Sequence, residues 1–285
     1  MTRYRLTFIT PLFSKGSYDN VPEVRPPSIR GQLHWWFRAL GGSHFDEKAI
    51  FGGVHGGAVA SKVVVRVNNV SGQTGEVATL PHKSGGHASP KWAYKSGTSC
   101  DLHVCHRLGG LNDGLKKSFD RTLETWLLLG SLGLRATRAA GSFCFQSLES
   151  EGFAYPDSLE DYRIRCGHLL KGAPLKFYLI DDPFDDAEAL RRIASDTIGG
   201  RDDYQGEDSL SRIYHPLGGI GKAVDGRKTS PLRFRILKIG KAFHIAAIWD
   251  NRTSVTGNRE DHLKRAAELL ADKGKEIGRL LLKSL

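Results

Sequence analysis

Arg30, His34 and Arg38 stand four residues apart, a spacing that lays all three along one edge of a helix. Two guanidinium forks flanking an imidazole suit an anion, phosphate above all, because each fork matches a pair of its oxygens. Histidine also has the right pKa for general-base work. A base needs a partner acid, and the sequence offers His34 no convincing one; the flanking arginines also disfavour the imidazolium. A phosphate or base contact, or a helix-edge filler, fits His34 better than catalysis. A second cationic set lies in the run Gly130 to Ser142. There Gly130, Gly133 and Gly141 can let backbone N–H groups approach a phosphate, and Arg135 and Arg138 add forked donors. No Gly-Lys-Ser/Thr closes this run, and it does not open a helix after a strand, so neither nucleotide-binding fingerprint applies. The bland alternative is a helix-to-strand turn with exposed arginines.

Two other groups invite a metal. Cys100, His103, Cys105 and His106 have zinc-ligand types, but strand alternation points Cys100 and His106 one way and His103 and Cys105 the other. Buried free thiols are expected instead. The pairs Asp181-Asp182, Asp185-Asp186 and Asp202-Asp203 could attract magnesium, yet helix capping and a solvated acidic loop account for them. No metal and no cofactor is expected.

The elements that must position these groups follow from periodicity. Residues 4–13 are expected to form a strand. Pro26-Pro27 disfavours helix before Ser28, which is expected to cap a helix burying Ile29, Leu33, Trp36, Phe37 and Leu40 and ending at Gly41-Gly42. A short helical turn over 46–51 and strands over 62–70 and 100–107 come next. Asn112 caps a second helix with the stripe Leu115, Phe119, Leu123, Trp126 and Leu127, and Phe143, Phe145 and Leu148 mark a fourth strand. Strand-helix-strand-strand-helix-strand is the ferredoxin-like order. A second, degenerate copy is expected: a strand over 175–180, a helix opened by Asp182-Pro183, a hairpin over 232–239 and 242–249, and a C-terminal helix from about Asn258. The fold class is α+β, with two tandem ferredoxin-like (RRM-like) domains, 1–150 and 151–285, and long inserted loops over 71–99 and 199–230. In the first of these loops Lys83, Lys91 and Lys95 interleave with Trp92 and Tyr94, which suits backbone neutralisation plus base stacking on single-stranded RNA; a hairpin without a ligand is the other reading.

Lys+Arg number 41 against 31 Asp+Glu, a net charge of +10, which suggests a polyanionic partner. The absence of a signal-like start, of a long apolar run and of a disulfide framework points to a cytoplasmic protein without a membrane partner.

Three stretches carry a family resemblance: Pro22 to Leu40, Gly130 to Phe143, and Leu217-Gly218-Gly219 through Gly226-Arg227-Lys228-Thr229-Ser230-Pro231-Leu232-Arg233-Phe234. In this order they resemble the RAMP proteins of CRISPR systems, most closely the first-subunit family of the type III-B Cmr effector. The glycine run departs from that family at Ala139-Ala140, where a further Arg and Gly are common. The resemblance implies an antiviral, non-catalytic RNA-binding subunit near the guide's 3′ end, with guide RNA, target RNA and other RAMP subunits as partners. The RNA-contacting residues would be Lys15, Arg25, Arg30, His34, Arg38, Gly130, Gly133, Arg135, Arg138, Gly141, Ser142, Arg227 and Lys228. Guide pairing, not this chain, would read sequence. Two alternatives stay open: a metal-independent CRISPR RNA-processing endoribonuclease using His34, and an assembly subunit whose basic face meets acidic proteins.

Overall fold

Period-two and period-3.6 patterning build fifteen elements in a computed structural model that describes residues 1–199, apart from 19, 55, 82 and 108, together with 232–252. In chain order they are β1 (Thr2–Phe8), α1 (Pro26–Ala39), α2 (His44–Phe51), β2 (Val63–Ser71), β3 (Thr74–Ala78), a 3-10 turn (Gly85–Ala88), β4 (Pro90–Tyr94), β5 (Ser99–His106), α3 (Asp113–Leu129), β6 (Phe143–Ser147), α4 (Leu159–Leu170), β7 (Leu175–Phe184), α5 (Ala187–Gly199), β8 (Leu232–Ile239) and β9 (Ala242–Asp250). The first sheet runs β2-β5-β1-β6 with every pairing antiparallel. With the β3–β4 hairpin set aside, this is the ferredoxin-like arrangement. The second sheet, β7-β9-β8, repeats the order of the first three such strands.

Tyr4, Leu6 and Phe8 of β1 and Cys100, Leu102 and Val104 of β5 turn one face of the first sheet toward α1 and α3. The opposite face is charged and internally paired: Arg5 donates through Nε and Nη2 to Asp101 at 2.8 and 3.1 Å. That bond, with a further one from Asn69, holds the Asp101 carboxyl below the usual range. In the second sheet, Leu232, Phe234 and Ile236 of β8 pack with α5, while Leu237, Ala246 and Ile248 join the first core. β8 and β9 are therefore covered on both faces, which explains the nearly continuous apolar run of the hairpin.

Several local expectations change. α1 begins at Pro26, with Arg25 at the N-cap and no side-chain cap, so Ser28 already lies inside the helix. Proline fits the first helical turn because its missing N–H is not needed there. β7 continues through Asp182-Pro183 to Phe184, and α5 starts at Ala187. A register irregularity between Ile180 and Phe184 accommodates the proline. α4 was not expected; its buried residues are Tyr162, Cys166 and Leu170. The 71–99 stretch contains the β3–β4 hairpin. The expected C-terminal helix falls outside the described residues, as does the expected 199–230 loop except for Gly199, which ends α5.

Burial pushes the Cys100 and Cys166 thiols up to about 12. Both should be protonated at pH 8, so iodoacetamide should spare them in the native protein and label them in urea. Rapid native labelling of either, read by peptide mass, would contradict this packing.

Candidate nucleic-acid interface

α1 and α2 together decide what the Arg30-His34-Arg38 stripe can do. Ser43 caps α2, its hydroxyl accepting from the Asp46 N–H at 3.0 Å, and this sets Glu47 in the first turn against α1. Glu47 is only 7% exposed. His34 Nδ1 lies 2.6 Å from Glu47 Oε1, and the imidazole sits 4.3 Å from the Phe51 ring. Arg38 Nε approaches the same oxygen at 3.4 Å, and His44 Nδ1 approaches Oε2 at 3.6 Å. Arg30 donates to the Phe51 carbonyl. The fold thus supplies His34 with the acid partner that the sequence did not reveal. If Nδ1–H donates to Glu47, Nε2 is left with the ring's lone pair. The same carboxylate offsets part of the stripe's positive charge, while Arg30 and Arg38 remain exposed.

The glycine run is stitched to the segment after β1. Leu134 N–H donates to the Phe13 carbonyl at 2.7 Å and Gly141 N–H to that of Pro11 at 2.9 Å. Gly133 and Gly141 have φ of 81° and 63°, and a Cβ at either would lie 2.5 and 2.0 Å from the carbonyl oxygens of Phe13 and Leu132. Here glycine allows one backbone to lie on another. Ser142 is fully buried; its hydroxyl donates to Ala139 O at 2.9 Å and accepts from the Ile236 N–H at 3.1 Å. Gly130 is buried as well. Arg135 and Arg138 are half-buried on the same turn.

This run also meets the strand that ends the third family stretch. Phe234 N–H donates to Thr137 O at 3.1 Å, and Arg138 bridges Phe234 in parallel. α1 reaches the same strand: the Arg233 guanidinium lies 3.7 Å from the Trp35 ring centre, and burial lowers its pKa to about 10. All three stretches therefore converge on β8, a contact through Trp35 that helical periodicity did not single out.

Lys15 follows the stitched segment and lines a groove with Phe13, Asn20, Glu76, Lys91, Trp92 and Leu134. Arg25 stands at the start of α1, and Arg227 and Lys228 lie outside the described residues. Among the acidic pairs, Asp181 bonds Arg163, and Asp186 accepts from the Glu188 N–H at 2.8 Å at the start of α5. Among the described residues no three His, Cys, Asp or Glu side chains gather as a metal would require, and no helix is long and apolar enough to cross a membrane.

Comparison with known proteins places this geometry in a family. The RAMP superfamily matches residues 5–144, from β1 to the start of β6. Residues 5–144, about half of the chain, thus form a RAMP superfamily domain. The chain is similar to the CRISPR system Cmr subunit Cmr1-2 of Pyrococcus furiosus, 38% identical over 72 residues. That match takes in 22% of this chain and 37% of the relative, so it spans little more than a third of the relative's length. In fold the chain resembles the crystal structure of Cmr1 from Pyrococcus furiosus in its apo form, with a TM-score of 0.53 at 20% identity, covering 87% of each chain. It also resembles a chain in the cryo-EM structure of the type III-B Cmr-beta bound to cognate target RNA, with a TM-score of 0.61 at 10% identity, covering 93% of this chain and 99% of the other. The tandem ferredoxin-like architecture agrees with these neighbours.

Proposed function

We propose that this protein is a non-catalytic RNA-binding subunit of a type III-B CRISPR effector, holding guide RNA near its 3′ end and the guide–target duplex in antiviral defence. The observation that carries the proposal is the likeness in fold, over most of the chain, to a chain of a Cmr assembly bound to cognate target RNA. The net charge of +10 supports it. The unit 1–150 carries every proposed contact except Arg227 and Lys228, and the second unit, 151–285, backs it through β8. Arg30 and Arg38 would neutralise phosphates from the rim of α1, with Arg25 at its start and Arg135 and Arg138 on the glycine run. The buried Ser142 and Gly130 would act by holding that run in shape. The other RAMP subunits of the effector would be the protein partners.

One observation favours a second reading. The His34–Glu47 pair has the geometry of an oriented base, so a metal-independent CRISPR RNA-processing endoribonuclease is the competing function. A salt series with end-labelled single-stranded RNA, run in parallel on a denaturing gel, separates the two. Under the first proposal affinity falls steeply with salt, RNA stays intact, and Arg30→Ala with Arg38→Ala weakens binding about fivefold or more while lowering the salt slope by about two. Discrete cleavage that His34→Ala abolishes would establish the second. A folded double variant with unchanged affinity would remove α1 from the binding surface.

A further inference from the structure

The β3–β4 hairpin is fastened at both ends, and it encloses an open groove. β4 lies along the post-β1 segment: Leu12 N–H donates to Tyr94 O at 2.9 Å, and Tyr94 N–H returns to Leu12 O at 3.1 Å. Ala93 is fully buried with Phe13 and Ala140. From the other side, the buried Arg191 of α5 donates to Ala78 O at 2.9 Å, and Arg192 Nε donates to Pro81 O at 3.0 Å. These bonds leave an open groove of about 530 Å³ between the hairpin, the post-β1 segment and the glycine run. Small-ligand sites span roughly 300–1,000 Å³, so the groove suits one nucleotide with its neighbouring phosphates.

Its lining has the chemistry of a splayed nucleotide. Trp92 is 43% exposed and Leu134 is 47% exposed, although both are large apolar side chains on anchored backbone. Trp36, Trp126 and Trp249, by contrast, are 5% exposed or less. Lys15 and Lys91 supply positive charge, and Asn20 and Glu76 supply polar groups; Glu76 stands directly opposite Trp92 in the hairpin register. An exposed indole beside lysines stacks a base of any identity while the cations meet its phosphates. A carboxylate and an amide can accept from a base's amino edge. An apolar peptide would use Trp92 and Leu134 but would make no use of the charge that Lys91 brings to the groove.

We propose that this groove is a base-stacking subsite for single-stranded RNA, with one unpaired base against Trp92 and the flanking phosphates on Lys15 and Lys91. This deepens the RNA-binding function proposed above and rests on it. The test is fluorescence anisotropy of labelled single-stranded RNA with the full chain over a salt series. Trp92→Ala should weaken binding about tenfold at every salt concentration, with the salt slope unchanged, because stacking releases no counterions. Trp92→Phe should recover most of that loss, and Lys91→Ala should lower the slope by about one. RNA carrying 5-bromouridine should crosslink to the peptide holding residues 90–94. If Trp92→Ala binds as tightly as the wild type and no crosslink forms there, the subsite is wrong, while the broader function survives provided Arg30→Ala with Arg38→Ala still weakens binding. If the wild-type chain binds no RNA at low salt, both fail together.

Discussion

Arg235→Ala is expected to destabilise the protein by about 3 kcal/mol or more, among the largest effects of any single side chain here. Arg235 is fully buried on β8. Through Nη2 it donates to Leu127 O at 2.9 Å and to Phe143 O at 2.5 Å, and its guanidinium lies 4.6 Å from the Phe143 ring centre. Leu127 is in the last turn of α3, where helix carbonyls lack intrahelical partners and a cation is favoured. One side chain from the second sheet therefore closes the end of α3 and holds β6 beside it. Truncation strips charged donors from two buried carbonyls, at roughly 1.5–3 kcal/mol for each charge-assisted bond, and leaves a cavity. Arg235→Met fills the volume without donors and should recover only the cavity share. Urea denaturation of both variants measures this. A loss below about 1 kcal/mol for alanine would mean that the carbonyls find other partners.

Gly141→Ala should be comparably damaging, at about 3 kcal/mol, for a purely steric reason. With φ at 63° an L side chain already meets its own backbone, at roughly 1–2 kcal/mol. Here the new methyl would also stand 2.0 Å from Leu132 O, and moving it away disturbs the N–H bond to Pro11. Gly41→Ala is the control: φ is 90°, yet nothing lies within 4 Å of the added carbon. It should cost only the conformational share, roughly 1–2 kcal/mol. Equal unfolding midpoints for the two variants would show that the glycine run yields easily and is not the stitch described above.

The same contrast between local and distant causes runs through the whole chain. Alternation at Tyr4, Leu6 and Phe8, the helical stripe from Ile29 to Phe37, and Asn112 as a cap whose side chain accepts from Leu115 N–H were all legible, because each depends on neighbours within a few residues. Those signals carried the ferredoxin-like order, and the family stretches carried the RAMP assignment. α4 escaped because its buried positions are a tyrosine, a cysteine and a leucine four apart, a weak apolar signal interrupted by Gly167 and His168. Ser28 and Asp182-Pro183 misled because proline is as compatible with a first helical turn or a strand irregularity as with the boundary expected there.

In the candidate site, the sequence by itself determined the kinds of groups: two arginines and a histidine on one helix edge, a glycine run, and lysines with tryptophan in a long loop. Only the tertiary structure decided their company. It set Glu47 beside His34, buried Ser142 against β8, and brought Lys15, Trp92 and Leu134 around one groove. It also reached across 108 residues to place Arg235 at the end of α3. Periodicity specifies which face of an element is apolar, but the partner that covers that face depends on packing between elements distant in the chain, where no local spacing records it.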